Sequence, residues 1–177
     1  DLVLVLPSRR ASLFLTTEFS KFIDKPIWLP EVYSVDDFFF KVNNLKNANS
    51  LELFFSLYFS YKKHVNNPQS IERCYNWANI LLSDFNEIDK SCVDHEKLFD
   101  YLSDIKRIEG WYLDLESNRD EIDQYLEFFQ NIKAIYRELV SELLSNNIAY
   151  SGLAQRLVSD NVDIVTDWLK KNKKHKI

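Results

Sequence analysis

The sequence predicts a mainly helical fold, in which a helical bundle-like region follows a short strand-helix-strand-helix segment. Three observations lead to this prediction. The chain of 177 residues contains only two Gly and four Pro, which leaves few tight turns and favours long helices. Hydrophobic residues make up 46% of the chain and aromatic residues 15%, which is enough for a packed core. After residue 45, apolar residues recur mostly at helical spacing.

The first strand and helix are predicted from the start of the chain. Leu2–Leu6 is a continuous run of Leu and Val, which is typical of a strand buried on both faces of a parallel sheet. Pro7 ends this strand, and Ser8 is the predicted N-cap of a helix over about residues 9–23. This helix offers four residues for burial, namely Leu13, Phe14, Phe19 and Phe22.

An extended stretch and a second helix follow. Two prolines accompany residues 27–33, so this stretch is predicted to be an edge strand or a loop. Ser34 opens the second helix, and Asp37 takes the usual place of Glu in a capping box. Strand, helix, strand and helix in this order predict one right-handed crossover of a parallel sheet. Such a sheet needs more strands than this sequence supplies, so we expect the chain to be a fragment of a longer protein.

The rest of the chain is predicted to be helical. We expect a buried helix that is apolar nearly all round over residues 50–65, a one-sided helix over 70–88, a short helix from Asp94 and an irregular stretch over 110–118. A last helix is predicted over 151–171, and the predicted domains are 1–45 and 46–177. Pairs of Asn at residues 43–44 and 146–147 mark predicted breaks.

The longest predicted helix covers about residues 119–146. Apolar residues repeat every seven positions on it and form a heptad seam: Ile122, Phe129, Tyr136 and Leu143, with Tyr125, Ile132 and Leu139 three positions after the first three of them. Many flanking positions are apolar as well. The pattern therefore favours the spine of a helical bundle over a dimeric coiled coil.

Charge and composition exclude several classes of function. The net charge of −5 gives the chain as a whole no attraction for nucleic acid. Residues 84–127 hold 14 Asp and Glu against five Lys and Arg, which favours a solvated helical surface. Two glycines cannot build a phosphate-binding loop, and the sequence shows no recognisable set of catalytic residues. No catalytic, cofactor-binding or metal-binding residue is therefore predicted.

The lysines near the end of the chain have two interpretations. They either lie at a helix C-terminus, where they complement the macrodipole, or form a nucleic-acid-binding patch.

Two segments carry candidate functional residues. Ser8, Arg9 and Arg10 stand at a helix N-terminus after a strand, where an anion can bind. Arginine at a helix start opposes the helix dipole, so an external anion such as a DNA phosphate is one interpretation, and surface or ion-paired arginine is the other. In the second segment, Asp84 and Glu87 could hold a metal ion, but further oxygen ligands are missing. The favoured interpretation is that these carboxylates face water, cap or pair with Lys or Arg, while Trp77 packs against a neighbouring helix.

These segments resemble a known family. The residues that carry the resemblance are Leu4–Ala11, Tyr33–Phe38, Trp77–Asn79, Leu82–Asp89 and Ala149–Ala154. They are similar to the N-terminal part of the PD-(D/E)XK nuclease family proteins of Bacteroidetes, which are similar to the AddB subunit of helicase–nuclease complexes. The resemblance spans nearly the whole chain in order, although these motifs are not catalytic signatures.

The resemblance implies a superfamily 1 helicase-like region. Residues 1–45 would be part of a RecA-like α/β domain, and residues 46–177 would be the helical subdomain inserted into it. Ser8, Arg9 and Arg10 would face single-stranded DNA. The expected function is a DNA-facing or scaffolding surface in double-strand-break repair and recombination, without catalysis of its own.

The resemblance also implies a context for the parent protein. That protein would be a PD-(D/E)XK exonuclease with a helicase-like domain. The only two cysteines of the chain, Cys74 and Cys92, fit no metal pattern and predict a reduced, cytoplasmic protein. The parent protein would require Mg²⁺, and also ATP where its helicase is active. DNA and an AddA-like helicase–nuclease subunit would be its partners, with no membrane involved. The alternative for this chain is a helical protein-interaction module unrelated to nucleic acid.

Overall fold

The computed structural model describes residues 2–25, 27–113 and 119–173, with side chains over 2–25, 27–105 and 125–172. The fold is mainly helical, as predicted. Four short strands are Val3–Leu6 (β1), Glu31–Ser34 (β2), Lys46–Asn47 (β3) and Ile148–Ala149 (β4). Eight helices within the described residues are Arg9–Phe22 (α1), Val35–Asn43 (α2), Ser50–His64 (α3), Ile71–Lys90 (α4), His95–Leu113 (α5), Arg119–Ser145 (α6), Ser151–Asp160 (α7) and Asp163–Lys173 (α8).

The chain divides into two compact units. One unit combines residues 1–46 with residues 154–177, and the other consists of residues 47–153. The predicted division at residues 45 and 46 stays a prediction. The structure adds that the segment after residue 153, which the sequence assigned to the helical subdomain, groups with the N-terminal segment.

A two-stranded parallel sheet forms the centre of the first unit. β1 pairs with β2 in register, from Val3 opposite Glu31 to Leu6 opposite Ser34. The order strand, helix, strand, helix is therefore as predicted. The second strand begins only at Glu31, because proline immediately before it cannot donate a ladder hydrogen bond. Trp168 of α8 meets Phe38 of α2 edge to face, with ring centroids 5.7 Å apart.

The prediction that β1 is buried on both faces is wrong for this chain. Val5 is 41% exposed, since within the described residues β2 is the one strand that pairs with β1. The helix α1 is likewise uncovered, with no residue fully buried. Three of its four predicted core residues are exposed, namely Leu13, Phe14 and Phe22, and Phe19 is half-buried.

The second unit is a helical bundle with α6 as its spine. α6 packs against both α3 and α5, and α3 packs against α4. The predicted seam is buried along the C-terminal part of α6, at Ile132, Tyr136, Leu139 and Leu143. It opens toward the other end, where Phe129 is half-buried and Tyr125 is exposed. Ile122 lies outside the residues whose side chains are described.

Three predicted helices differ in detail from the structure. α3 is two-sided, because Phe54, Leu57 and Tyr61 are buried while Leu51, Phe55 and Phe59 are exposed. On α4, the predicted face is buried at Cys74, Ala78, Leu81, Leu82 and Phe85, but Ile71 and Tyr75 are exposed. The last predicted helix is two helices, α7 and α8, separated at residues 161–162.

Other breaks were predicted with mixed success. α5 continues to Leu113, so the predicted irregular stretch is wrong over residues 110–113, and residues 114–118 lie outside the described residues. Asn44 and Asn147 have φ of 55°, a left-handed conformation that Asn tolerates better than most residues. They confirm the predicted Asn breaks. The short strands β3 and β4 were not predicted.

No helix within the described ranges combines the length and the apolar character needed to cross a membrane.

Candidate functional site

The candidate site lies at the carboxyl end of the parallel strands β1 and β2. Each strand leads into a helix capped by serine: the Ala11 N–H donates to Ser8 Oγ of the first cap, and the Asp37 N–H donates to Ser34 Oγ of the second, both at 3.2 Å. Because parallel strands end at the same edge of a sheet, the N-termini of α1 and α2 come to one side. Ser8 is therefore the predicted N-cap, and its oxygen is occupied by the backbone.

Arg9 forms a two-point ion pair with Asp37 across this edge. Its Nε donates to Asp37 Oδ2 at 2.8 Å, and its Nη2 donates to Oδ1. The pKa of Asp37 is lowered, first by the Arg9 hydrogen bond and also by the Ser34 hydroxyl. Asp37 therefore supplies, from within the chain, a negative charge that offsets the unfavourable position of Arg9 at a helix N-terminus.

Arg10 differs from its neighbour. Its side chain is exposed, and within the described residues it makes no ion pair or side-chain hydrogen bond. The structure thus separates the two arginines that the sequence treated alike: Arg9 is paired, as one of the two interpretations expected, and Arg10 can contact an external anion. The DNA-facing role of Ser8, Arg9 and Arg10 stays a prediction.

Asp37 is a residue of this edge that the sequence reasoning missed. It was predicted only as the acid of a capping box. The structure departs from that motif, because the Ser34 hydroxyl itself donates to Asp37 Oδ2 at 2.6 Å, and Arg9 occupies the rest of the carboxylate. The sequence pattern that could have identified Asp37 was the predicted parallel order of the two strands. Parallel strands bring together the residues that follow each of them.

The second predicted segment has the structural role that was favoured. Trp77 packs edge to face against Tyr61 and Phe128, with both centroid distances 5.3 Å. Asp84 is exposed, and Glu87 lies 3.5 Å from Lys90. Within the described residues, no group of three or more His, Cys, Asp or Glu is arranged to hold a metal ion.

A buried carboxylate is the second feature that the sequence reasoning missed. Asp89 is fully buried, and it accepts hydrogen bonds from the hydroxyls of Tyr136 at 2.6 Å and Tyr150 at 2.5 Å. Desolvation, followed by the charge of Asp89, raises the pKa of Tyr150 well above its usual value. An acid four positions after Phe85 and seven after Leu82 lies on the apolar face of α4, which was the available signal.

Tyr150→Phe is expected to destabilise the second unit by about 1–3 kcal/mol, because a buried carboxylate loses a hydrogen-bond donor. Chemical denaturation followed by circular dichroism measures this loss. Tyr101→Phe is the matched control, since Tyr101 is 65% exposed. Equal stability of the two variants would contradict a structural role for the Asp89 network.

The acidic block forms ion pairs between α5 and α6. Glu96 accepts from Arg137 Nε at 2.8 Å and lies 2.8 Å from Lys133, which also binds Asp100. These hydrogen bonds, that of Arg137 first, lower the pKa of Glu96 to about 2. Over the residues whose side chains are described, part of the block is therefore a paired helical surface between α5 and α6.

The lysines at the end of the chain are described only in part. Lys170 pairs with Asp167 at 3.6 Å, and Lys171 is exposed. The remaining lysines, at positions 173, 174 and 176, fall outside the described side chains. Both interpretations of this end therefore stay open.

Comparisons with known proteins add no relative. Neither the protein-family models, nor the curated proteins, nor the solved structures give a match to this chain.

Proposed function

We propose that this chain is part of an AddB-like subunit of a DNA-processing complex, to which it contributes a DNA-facing surface without catalysis of its own. The observation that carries the proposal is the parallel pairing of β1 and β2, each followed directly by a helix. This is the arrangement that the resemblance to a RecA-like segment implies. Open α/β sheets bind their ligands at the carboxyl ends of the strands, and the arginines stand at that edge.

The two arginines have different parts in this proposal. Arg10 contacts a phosphate directly, because its guanidinium is exposed and unpaired within the described residues. Arg9 positions the start of α1 through its pair with Asp37. Phosphate contacts of this kind are independent of base sequence, and salt weakens them.

The uncovered apolar surface of the first unit supports a place in a larger assembly. Leu13, Phe14 and Phe22 of α1 are exposed, and Trp28 is 99% exposed. Exposed side chains of this size are candidates for contact with another part of an assembly. In the proposed setting, further strands of a RecA-like domain cover these residues. Mg²⁺, ATP and an AddA-like subunit belong to that larger cytoplasmic assembly.

Titration with fluorescent single-stranded DNA at several salt concentrations tests the proposal. Arg10→Gln is expected to weaken binding roughly threefold to tenfold at low salt and to reduce the salt slope by about 0.7, as for one lost contact to a single strand. Asp37→Asn should strengthen binding, because it removes a negative charge and releases the Arg9 guanidinium. Anisotropy measures both affinities.

The control for this titration is Lys62→Gln, which removes an exposed positive charge from the second unit. It should leave the salt slope unchanged. Loss of both arginines in Arg9→Ala plus Arg10→Ala should abolish most of the salt-dependent binding. Unchanged binding by that double variant would overturn the DNA-facing proposal.

The alternative is a helical protein-interaction module unrelated to nucleic acid. One observation favours it: Leu51, Phe55 and Phe59 form an exposed apolar row on one side of α3, at spacings of four. The DNA titration separates the two functions, since a module of this kind binds single-stranded DNA no better when Asp37 is neutralised.

A further inference from the structure

An aromatic cavity opens in the helical unit, which is formed by residues 47–153. It has a volume of about 510 Å³ and lies among α3, α4 and α6. We call it the aromatic cavity and define it by five rings: Tyr61, Trp77, Tyr125, Phe128 and Phe129. Pockets of this size, lined mostly by apolar and aromatic groups with a few polar ones, are typical of sites for small organic ligands.

The rings of the aromatic cavity are held in fixed positions. Trp77 meets Tyr61 and Phe128 edge to face. The Trp77 indole N–H donates to Gln69 Oε1 at 3.1 Å, and the Tyr61 hydroxyl accepts from the Gln69 backbone N–H at 3.1 Å. The polar atoms of these two rings therefore bond within the chain, and both rings offer a ligand their apolar surface.

The two ends of the aromatic cavity carry opposite charges. Arg73 and Asp84 both line it. They are eleven residues apart on α4, or about 16 Å along the helix axis. Neither makes an ion pair within the described residues, and both side chains are exposed. Either end therefore offers a charge to a ligand.

Hydrogen-bond donors converge at the Arg73 end. A polar recess adjoins the cavity there, and Gln69 and Arg73 line both spaces. Ser70 also lines the recess, and its side chain makes no capping hydrogen bond. A guanidinium, an amide NH₂ and a hydroxyl thus meet at one end. At the other end, the cavity is lined by Asp84 with the apolar Ile80 and Leu81. The Arg73 end therefore offers a ligand more polar partners than the Asp84 end.

We propose that the aromatic cavity binds a small aromatic anion, with one or two fused rings between the aromatic side chains and one anionic group on Arg73. The planar guanidinium fork matches carboxylate, sulfonate and phosphate groups. The rings supply burial and edge-to-face contacts for the aromatic part. This inference does not rest on the proposed function, because its residues all belong to the other unit.

Two fluorescent probes that differ in a single group test the inference. 8-Anilinonaphthalene-1-sulfonate has fused rings and a sulfonate, and N-phenyl-1-naphthylamine is the same molecule without the sulfonate. Arg73→Gln is expected to weaken binding of the sulfonate probe about tenfold, as for loss of a charge-assisted hydrogen bond, and to change the neutral probe less than about twofold. Fluorescence titration of the whole chain measures both affinities.

Further variants make the test specific to the aromatic cavity. Arg10→Gln removes the same charge from the other unit and should change neither affinity. Phe128→Leu should weaken both probes severalfold, because it removes a ring and keeps the charge. Asp84→Asn should leave the sulfonate probe as tight or slightly tighter. Circular dichroism confirms that each variant is folded.

Three results would overturn the inference. One is an equal effect of Arg73→Gln on the two probes, and another is an equal effect of Arg10→Gln and Arg73→Gln on the sulfonate probe. The third is weaker sulfonate binding in Asp84→Asn, which would assign ligand selection to the opposite end. Since Arg73 and Asp84 are exposed, none of these results can be attributed to loss of the fold.

Discussion

Phe85→Ala is expected to lower the free energy of unfolding of the helical unit by about 3–5 kcal/mol, the usual cost of removing a buried phenyl ring from a core. Phe85 is fully buried on α4. Its ring meets Phe99 of α5 and Tyr136 of α6 edge to face, with centroids 5.8 and 5.1 Å away. One residue therefore joins three helices, and alanine would leave a cavity where they meet.

Urea denaturation followed by far-ultraviolet circular dichroism measures the effect of Phe85→Ala. The matched control is Ile80→Ala on the same helix, since Ile80 is 66% exposed and surface substitutions of this kind cost about 0.5 kcal/mol or less. A similar loss for both variants would show that α4 does not bury the face on which Phe85 lies.

Gly152→Ala is expected to destabilise the chain by about 1–3 kcal/mol or more, as overpacking of a tight contact does. A Cβ atom at this position would lie 2.2 Å from the backbone oxygen of Asn86 and 3.0 Å from its side-chain Oδ1. The Gly152 N–H also donates to Asn86 Oδ1 at 2.8 Å. The start of α7 thus lies directly against the backbone of α4, and a methyl group has no space between them.

Hydrogen exchange over residues 148–153, together with thermal unfolding, measures the response to Gly152→Ala. Faster exchange is expected there, because the start of α7 must move away from α4 to admit the methyl group. Ser151→Ala is the control: its hydroxyl lies 3.3 Å from Asn86 Oδ1, so its loss should cost less than the added methyl group. Wild-type stability of Gly152→Ala would contradict the close approach of the two backbones.

Local patterns predicted most of the helices and their caps. The heptad repeat predicted a helix over about residues 119–146, and α6 covers Arg119–Ser145. The agreement is close because a regular apolar repeat of this spacing is typical of a helix. Ser8 and Ser34 cap the helices for which they were predicted. The split between α7 and α8 was missed, since the sequence there contains neither Gly nor Pro.

Burial was predicted less well than secondary structure. The sequence of α3 is apolar nearly all round, and yet Phe55 and Phe59 are exposed, because neighbouring helices cover only part of a helix surface. Asp89 shows the opposite case. A carboxylate is expected at the surface, but two tyrosine hydroxyls distant in sequence make its burial possible.

At the candidate site, too, the sequence predicted the local features and not the contacts between distant residues. The sequence placed Ser8, Arg9 and Arg10 at a helix start, since proline, a capping residue and helical periodicity act locally. It left open whether an anion from outside pairs with the arginines. The ion pair of Arg9 with Asp37, 28 positions away, depends on the parallel pairing of two strands.

The sequence by itself determined that the chain is mainly helical, that it begins with a strand, helix, strand and helix, and where most helices start. These features follow from interactions between residues close in sequence. Within the described residues, the tertiary structure decided which of Arg9 and Arg10 is paired, which carboxylate is buried and which rings surround a cavity. Each of these depends on contacts between distant residues, because burial and pairing are properties of two surfaces that meet and not of either sequence segment alone.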